Sequence, residues 1–370
     1  MSPASASAVV LSVVGARPNF MKLAPVAAAL SRRPGVRHLV VHTGQHYDPE
    51  MSDAIFRDLG LPTPDVDLEV GSGSHAQQTA AIMQRFEPVL IESRPDIILV
   101  YGDVNSTVAA ALVAAKLGVR VGHVEAGLRS GDWSMPEEIN RVVTDRLSDL
   151  LFAPSRDAVA NLRAEGVPAE RIHFVGNVMI DSLVRLLPDA RQRAPWGAHG
   201  LSERSYVLVT LHRPSNVDDP AVFREVLAAV EEIGSCHPVL FPVHPRTRAR
   251  MTAASWAPRG SAVRLLDPVS YIEMLGLTAG AGLVVTDSGG VQEETSFLGV
   301  PCLTVRPNTE RPVTLTAGTN RLVPSERAAI VAAAKQQWSR YAAGPCAIER
   351  WDGGTGERIA GVVCGGERFE

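Results

Sequence analysis

Cysteine is scarce and scattered. The four in this 370-residue chain (Cys236, Cys302, Cys346 and Cys364) form no C-x-x-C pair, which excludes a zinc knuckle and a disulfide scaffold. Aromatics are only 5% of the residues, too few for a surface on which nucleic-acid bases stack. Neither sign of charge prevails: Lys+Arg 36 stand against Asp+Glu 40, a net charge of −4. The basic surplus that a nucleic-acid or anionic-membrane binder needs is therefore missing. No apolar run approaches the ~20 residues that span a bilayer. The first eight residues lack the basic-then-apolar order of a signal peptide, so the expected location is the cytoplasm. The chain also has no G-x-G-x-x-G and no G-x-x-x-x-G-K-[ST], which argues against a tightly held NAD and a P-loop ATP site. Nor is there a G-x-S-x-G elbow to suggest a serine hydrolase.

What is present points to two domains. The length exceeds one ordinary core and suits two of roughly 150–200 residues. An apolar share of 45% with 21% charged residues excludes disorder as the main state. Short runs rich in Val, Ile and Leu occur at 9–14, 38–41, 97–101, 120–123, 150–153 and 173–175, then at 206–211, 238–243, 263–265, 282–286 and 301–305. Helical periodicity lies between them at 24–30, 107–117, 139–147, 222–233 and 291–298. Strands apolar on both faces, alternating with helices, read as parallel sheets covered on both sides. The expected fold is α/β, with two Rossmann-like doubly wound domains facing a cleft. Residues 189–203, with Pro195, Gly197 and Gly200 and little apolar period, read as the linker. The expected domains are 1–188 and 189–353, with a C-terminal helix at 354–370 returning to the first; the last residues from Cys364 read as frayed.

In such sheets ligands sit beyond the carboxyl ends of the strands, and this sequence loads those positions with chemistry. Asp287-Ser288-Gly289-Gly290-Val291-Gln292-Glu293-Glu294 is a strand end, a glycine pair and a helix start. Glycines let backbone amides approach an anion, and the helix dipole favours negative charge there. Glu293 or Glu294 can accept from ribose hydroxyls. The plainer alternative is an Asp/Ser cap with acidic residues in the first turn. Arg17 and Lys22 flank another helix start, an unfavourable place for cations unless an anion occupies the gap. Asp103, Glu125 and Glu137 are carboxylates that the fold gathers towards one cleft, and crowding raises carboxyl pKa values into the range useful for acid–base work. Asp103 can instead cap a helix near Ser106. Glu137 can close an S-x-x-E capping box with Ser134, with Pro136 at the helix start and Arg141 as an ion-pair partner. Glu125, between a strand end and Gly127, has no obvious structural partner. His123-x-Glu125 is half of a zinc-deaminase signature without its P-C-x-x-C partner, and His42 and His46 straddle a strand end, so no metal site is expected. His212 ends a strand and precedes Arg213, ready for a phosphate or a general-acid role.

Together these residues resemble a known family. Gly15-Ala16-Arg17-Pro18, Gln45-His46, Tyr101-Gly102-Asp103, His123-Val124-Glu125-Ala126-Gly127-Leu128-Arg129, Met135-Pro136-Glu137-Glu138-Ile139-Asn140-Arg141, Thr210-Leu211-His212-Arg213, the Asp287–Glu294 string, Thr309-Glu310-Arg311-Pro312, Ala317-Gly318-Thr319 and Trp351-Asp352-Gly353 are similar, in order, to the non-hydrolysing UDP-N-acetylglucosamine 2-epimerases. The resemblance implies the GT-B fold, with UDP held mainly by the second domain. It implies reversible interconversion of UDP-GlcNAc and UDP-ManNAc without NAD, metal or other cofactor. In that reaction UDP is eliminated to leave 2-acetamidoglucal and is added back with the opposite configuration at C2. By position, Asp103, Glu125 and Glu137 match the family's catalytic carboxylates, Lys22 and Arg141 its active-site cations, and Glu294 its ribose ligand. Arg17, the Ser288-Gly289-Gly290 backbone, His212 and Arg311 would offset the charge growing on UDP, and His244 joins the UDP-binding set. The implied partner is a UDP-sugar, with no nucleic acid or membrane. A homodimer is expected, and a place in cell-surface polysaccharide synthesis.

Ala16, Asn19 and Pro214-Ser215-Asn216 depart from the family pattern beside the sugar, which leaves room for another UDP-2-acetamido sugar. Tyr47-Asp48 departs where some members carry a second, regulatory UDP-GlcNAc site. The alternatives are a hydrolysing epimerase that releases ManNAc, a GT-B glycosyltransferase using a UDP-sugar and an acceptor, and a non-catalytic UDP-sugar sensor.

Overall fold

The computed structural model describes residues 8–44, 58–338, 340, 344, 346–365 and 369, without the side chain of Arg17. The chain divides into two compact units: Met1–Ser182 with Glu349–Glu370, and Leu183–Ile348. In unit 1 the strands are β1 (Ala8–Val14), β2 (Val36–His42), β3 (Val66–Asp67), β4 (Ile97–Tyr101), β5 (Arg120–Val124), β6 (Leu150–Ala153) and β7 (Ile172–Phe174). They form a seven-stranded sheet in the order β3-β2-β1-β4-β5-β6-β7, parallel throughout. Unit 2 contains β8 (Val207–Thr210), β9 (Val239–Pro242), β10 (Val263–Leu266), β11 (Leu283–Thr286), β12 (Cys302–Val305) and β13 (Asn320–Val323). These make a six-stranded sheet ordered β10-β9-β8-β11-β12-β13, also parallel. The two Rossmann-like α/β sheets expected from the sequence are present.

The physical reason is visible in burial. Every residue of β4, β8, β11 and β12 is buried, so both faces are covered, as parallel sheets require. Leu11, Val13, Ile98 and Val100 pack with Ile82 and Phe86 of the helix His75–Ser93 and with Ala110 and Val113 of the helix Asn105–Lys116. In unit 2, Val209, Phe241, Val285 and Leu303 pack with Phe223 and Val230 of the helix Pro220–Gly234 and with Ile330 of the helix Arg327–Gln337. In each sheet the strand order reverses once, between β1 and β4 and between β8 and β11. That reversal opens a crevice at the carboxyl ends, where ligands of such sheets bind. Among the described residues, no helix is long and apolar enough to cross a membrane.

Two strands were not legible. β3 has only two residues, and β13 is polar at Asn320 and exposed at Arg321; both lie at sheet edges, where one flank needs no apolar cover. The stretch read as a linker is ordered: the helix Val178–Arg193 runs into it, and a 3₁₀ turn follows at Pro195–His199. That turn packs so closely on the helix Tyr271–Gly280 that a Cβ on Gly276 would lie 2.8 Å from the Pro195 ring.

The C-terminal segment completes unit 1. Trp351 Nε1 donates to the Pro154 carbonyl at 3.1 Å. Arg156 pairs with Glu349 at 2.7 Å. Arg32 and Arg33 reach Glu357 on the helix Thr355–Gly365. Asp181 accepts from the Gly356 amide at 2.7 Å, capping that helix from a distance, and burial pushes its carboxyl up to about 6. The frayed end does not hold at Phe369, whose carbonyl accepts from the Phe174 amide at 2.9 Å.

Candidate functional site

In unit 1 the candidate residues collect past β4 and β5. Gly102 follows β4 with φ +65°. A Cβ there would lie 2.6 Å from Lys22 Nζ and 3.2 Å from Glu125 Oε2, so glycine is required twice, for conformation and for space. Lys22, on the helix Arg17–Ser31, forms a buried ion pair with Glu125. Glu125 itself is held at φ +76°, a conformation costing a non-glycine residue about 1–3 kcal/mol and concentrated at functional sites. The amides of Glu125 and Ala126 both donate to the Phe152 carbonyl at 3.1 Å, which fixes that strained turn. Next to Gly102, Asp103 pairs with Arg141, and its carbonyl accepts from Asn140 Nδ2 at 2.8 Å.

The helix Pro136–Leu147 changes the assignment of its neighbouring carboxylates. Glu138 is 2% exposed. It accepts from the Ser130 and Gly131 amides at 3.0 and 2.9 Å and from Arg141 at 2.7 Å. Burial works to raise its pKa, but those two amides and Arg141 outweigh it and hold the carboxyl below its ordinary value. Glu137 is half-buried. The Ser134–Glu137 capping box does not form: Met135 is the cap residue, without a side-chain capping bond, and Ser134 donates to Asp132 at 2.6 Å. Arg141 pairs with Glu138 three residues back and not with Glu137. Asp103 is not a cap either, because Val104 takes that position and makes no side-chain bond. The crowding expected of Asp103 and Glu125 is relieved, since each faces a cation. Lys22 likewise has its countercharge in the protein, which removes the argument for an anion from its placement alone.

Histidine at this sheet is structural. His123 is fully buried, with Nδ1 2.6 Å from Asp145 and Nε2 2.8 Å from the Gly102 carbonyl, so neither nitrogen is open to a metal. His42 contacts Asp67 at 3.0 Å. Arg17 opens its helix; its side chain, and Gln45, His46, Tyr47 and Asp48, lie outside the described residues.

In unit 2 the candidates meet at the β8/β11 reversal. Ser288 is the cap residue of the helix Gly289–Leu298 but makes no side-chain capping bond. The first-turn amides are therefore left for an anion. Gly289 is pressed against the basic side: a Cβ would lie 2.5 Å from Arg311 Nη1 and 2.9 Å from Glu310 Oε1. Arg311 is held by Glu310 and, at 2.8 Å, by Glu293. Glu310 also takes Arg306 at 2.8 Å. Burial alone would raise the Glu310 pKa; Arg311, Arg306 and Arg213 drive it far below the usual carboxylate range. Glu294 accepts from the Tyr271 hydroxyl at 2.9 Å. Burial, with Glu293 adding to it, pushes the Glu294 carboxyl up to about 7 against that hydrogen bond. Neither glutamate lies in the first helical turn, so the plain capping account of this motif fails.

His212 follows β8, with Nδ1 3.1 Å from Asp287 Oδ1. His244 follows β9; its ring centre is 5.4 Å from that of His212, and its Nδ1 accepts from the Arg246 amide at 3.2 Å. The structure thus groups Asp103, Glu125, Lys22 and Arg141 in unit 1, and His212, His244, Ser288, Gly289, Gly290, Glu294 and Arg311 in unit 2. Sequence reasoning missed Glu138, Tyr271, Glu310 and the use made of Asp287. A helical-phase argument could have found Glu138, because it shares a helix face with Arg141 at i, i+3.

The model of the UDP-N-acetylglucosamine 2-epimerase family matches residues 28–363. The chain is 44% identical over 329 residues to UDP-2,3-diacetamido-2,3-dideoxy-D-glucuronate 2-epimerase of Pseudomonas aeruginosa, covering 88% of this chain and 91% of that one. It is 38% identical over 363 residues to UDP-N-acetylglucosamine 2-epimerase of Methanococcus maripaludis, covering 95% and 97%. Among solved structures it is similar to the UDP-GlcNAc 2-epimerase of Methanocaldococcus jannaschii in complex with UDP-GlcNAc and UDP. That match has a TM-score of 0.88 and 38% identity, and covers 96% of this chain and 99% of that one.

Proposed function

The chain belongs to the UDP-N-acetylglucosamine 2-epimerase family, and from that premise we propose that it is an isomerase interconverting UDP-GlcNAc and UDP-ManNAc. The observation that carries this reading is the near full-length similarity to an epimerase whose structure holds UDP-GlcNAc and UDP. In this reading a base takes the C2 proton, the electrons of that bond form the C1–C2 double bond, and the C1–O bond breaks onto the β-phosphate of UDP. Addition of UDP to the resulting 2-acetamidoglucal, with protonation from the other face, completes the inversion. The C2 proton is weakly acidic, so stabilising the leaving group leads. The first turn of Gly289–Leu298, Arg311 and His212 serve that step, Glu294 takes ribose hydroxyls, and Arg17 and His244 complete the UDP set. Asp103, positioned by Arg141, Glu125, positioned by Lys22, and Glu137 supply the proton transfers.

The test is turnover in heavy water. Deuterium should appear at C2 of the recovered UDP-sugar; unlabelled sugar after long incubation rejects the proposal. Free ManNAc as the main product would select the hydrolysing alternative, and activity only with an added acceptor the glycosyltransferase.

A second substrate has a specific observation behind it, the 44% identity to the diacetamido-glucuronate enzyme. Comparing kcat/KM for the two UDP-sugars decides between them. Cytoplasmic action agrees with four free cysteines, Cys236, Cys302, Cys346 and Cys364. A homodimer agrees with the exposed Ile139 and Val143 one turn apart on Pro136–Leu147, and light scattering reads it directly.

A further inference from the structure

We propose that Asp287 is a positioning residue for His212: its carboxylate takes the proton-bearing Nδ1 of the ring and leaves Nε2 as the atom that meets the departing diphosphate. The part played by Nε2 rests on the epimerase reading; the tautomer does not. Asp287 lies one residue past β11 and His212 two past β8, the neighbouring strands where the sheet order reverses. Thr210 and Thr286, at the ends of those strands, bond to each other through their hydroxyls at 2.7 Å, which fixes the register that brings the two loops together.

Asp287 is 0% exposed, and its carboxylate meets donors. The His212 amide donates at 3.0 Å, the Arg213 amide at 2.9 Å and Asn216 Nδ2 at 3.1 Å. His212 Nδ1 lies 3.1 Å from Oδ1. Burial pulls the carboxyl pKa upward, but His212, the Arg213 amide and Asn216 prevail and keep it below its ordinary value. An ionised carboxylate only accepts, so at 3.1 Å from Oδ1 it favours the tautomer that carries the proton on Nδ1. In neutral His212 the other nitrogen, Nε2, is then an acceptor, and in the imidazolium it is a donor that can meet a leaving phosphate.

The neighbouring histidine shows the opposite arrangement. His244 uses Nδ1 to accept from the Arg246 amide, which puts the proton of its neutral ring on Nε2. Two histidines 5.4 Å apart are thus set in opposite tautomers, His212 by a carboxylate and His244 by a backbone amide. Asp287 also joins the histidine to the anion cradle. Its carbonyl accepts from Arg213 Nε at 2.9 Å, and the next residue, Ser288, opens the helix Gly289–Leu298.

Two measurements decide the matter. ¹⁵N-labelled histidine spectra of the full chain, with His212 assigned by its loss in His212→Gln, should show the neutral ring protonated on Nδ1, moving towards the Nε2-protonated form in Asp287→Asn. A wild-type ring protonated on Nε2 overturns the proposal, even if Asp287→Asn fails to fold. The second is a double-mutant cycle. Asp287→Asn should lower turnover by at least roughly tenfold with His212 present and by less than about twofold in the His212→Gln background, the signature of an effect acting through the histidine. UDP affinity should stay within about threefold of wild type, because the cradle amides are untouched. Equal losses in both backgrounds, or a matching loss of UDP affinity, overturn the proposal. If the wild type exchanges no deuterium at C2 of either UDP-sugar, the epimerase reading falls, while the spectra still decide the role of Asp287.

Discussion

Past β4 and β5, unit 1 sets Asp103 against Arg141, Glu125 against Lys22 and Glu138 against Arg141 again. Past β8 and β11, unit 2 presents a helix turn with no side-chain cap and a glycine closed upon by Arg311. The first region carries its charge as compensated side-chain pairs. The second adds fixed backbone dipoles to such pairs, beside an Arg311 held by Glu293 and Glu310. The difference fits two different tasks. Amides can hold an anion but cannot pass a proton at neutral pH, whereas a carboxylate beside a cation can take a proton and return it while its surroundings stay in place.

The comparison can be broken by experiment. The largest effect should come from Glu138→Ala, which leaves the buried Arg141 with Asp103 alone and strands the Ser130 and Gly131 amides. A stability loss of about 3–5 kcal/mol is expected for breaking such a pair, read by urea denaturation; a loss below 1 kcal/mol would show that this pairing does not support unit 1. Glu125→Gln comes next. Turnover should fall roughly a hundredfold or more, the scale for losing a positioned acid–base group, with UDP affinity measured by calorimetry little changed. If affinity falls with turnover, the division of tasks is wrong. Gly289→Ala reverses that pattern: the new Cβ meets Arg311 and Glu310, and an overpacking cost of about 1–2 kcal/mol should appear as weaker UDP binding. Smallest is Ser134→Ala, expected to change stability by less than about 0.5 kcal/mol because no capping box exists to lose. A loss of 1 kcal/mol or more would restore the capping account of Glu137.

Legibility followed the same divide. The core of the first sheet was readable because β4 and β6 are continuous apolar runs, and their bounds agree to the residue. Helix starts were not: the apolar period at 24–30 marks only the second half of Arg17–Ser31, whose first turns carry Asn19 and Lys22. Local patterns also misled where a long-range partner wins. S-x-x-E pointed to Glu137, yet the loop amides of Ser130 and Gly131 chose Glu138. A helix cap was the plainer alternative for Asp287 because its partners His212 and Arg213 lie more than seventy residues upstream and arrive only when β8 pairs with β11. Lys22 read as an anion-seeking cation for the same reason: Glu125 is 103 residues away.

The return of Glu349–Glu370 to unit 1 has a consequence for biosynthesis. When the first 182 residues leave the ribosome, the surface that later receives the helix Thr355–Gly365 is still bare, and Asp181 has no Gly356 amide to hold. Leu183–Ile348 must be translated first, a wait of roughly 10–30 s at about 5–20 residues per second. The amino-terminal half of the nascent chain should therefore be the last to mature. A premature stop or a bulky tag near the carboxyl terminus should injure the region that begins translation before the one that ends it.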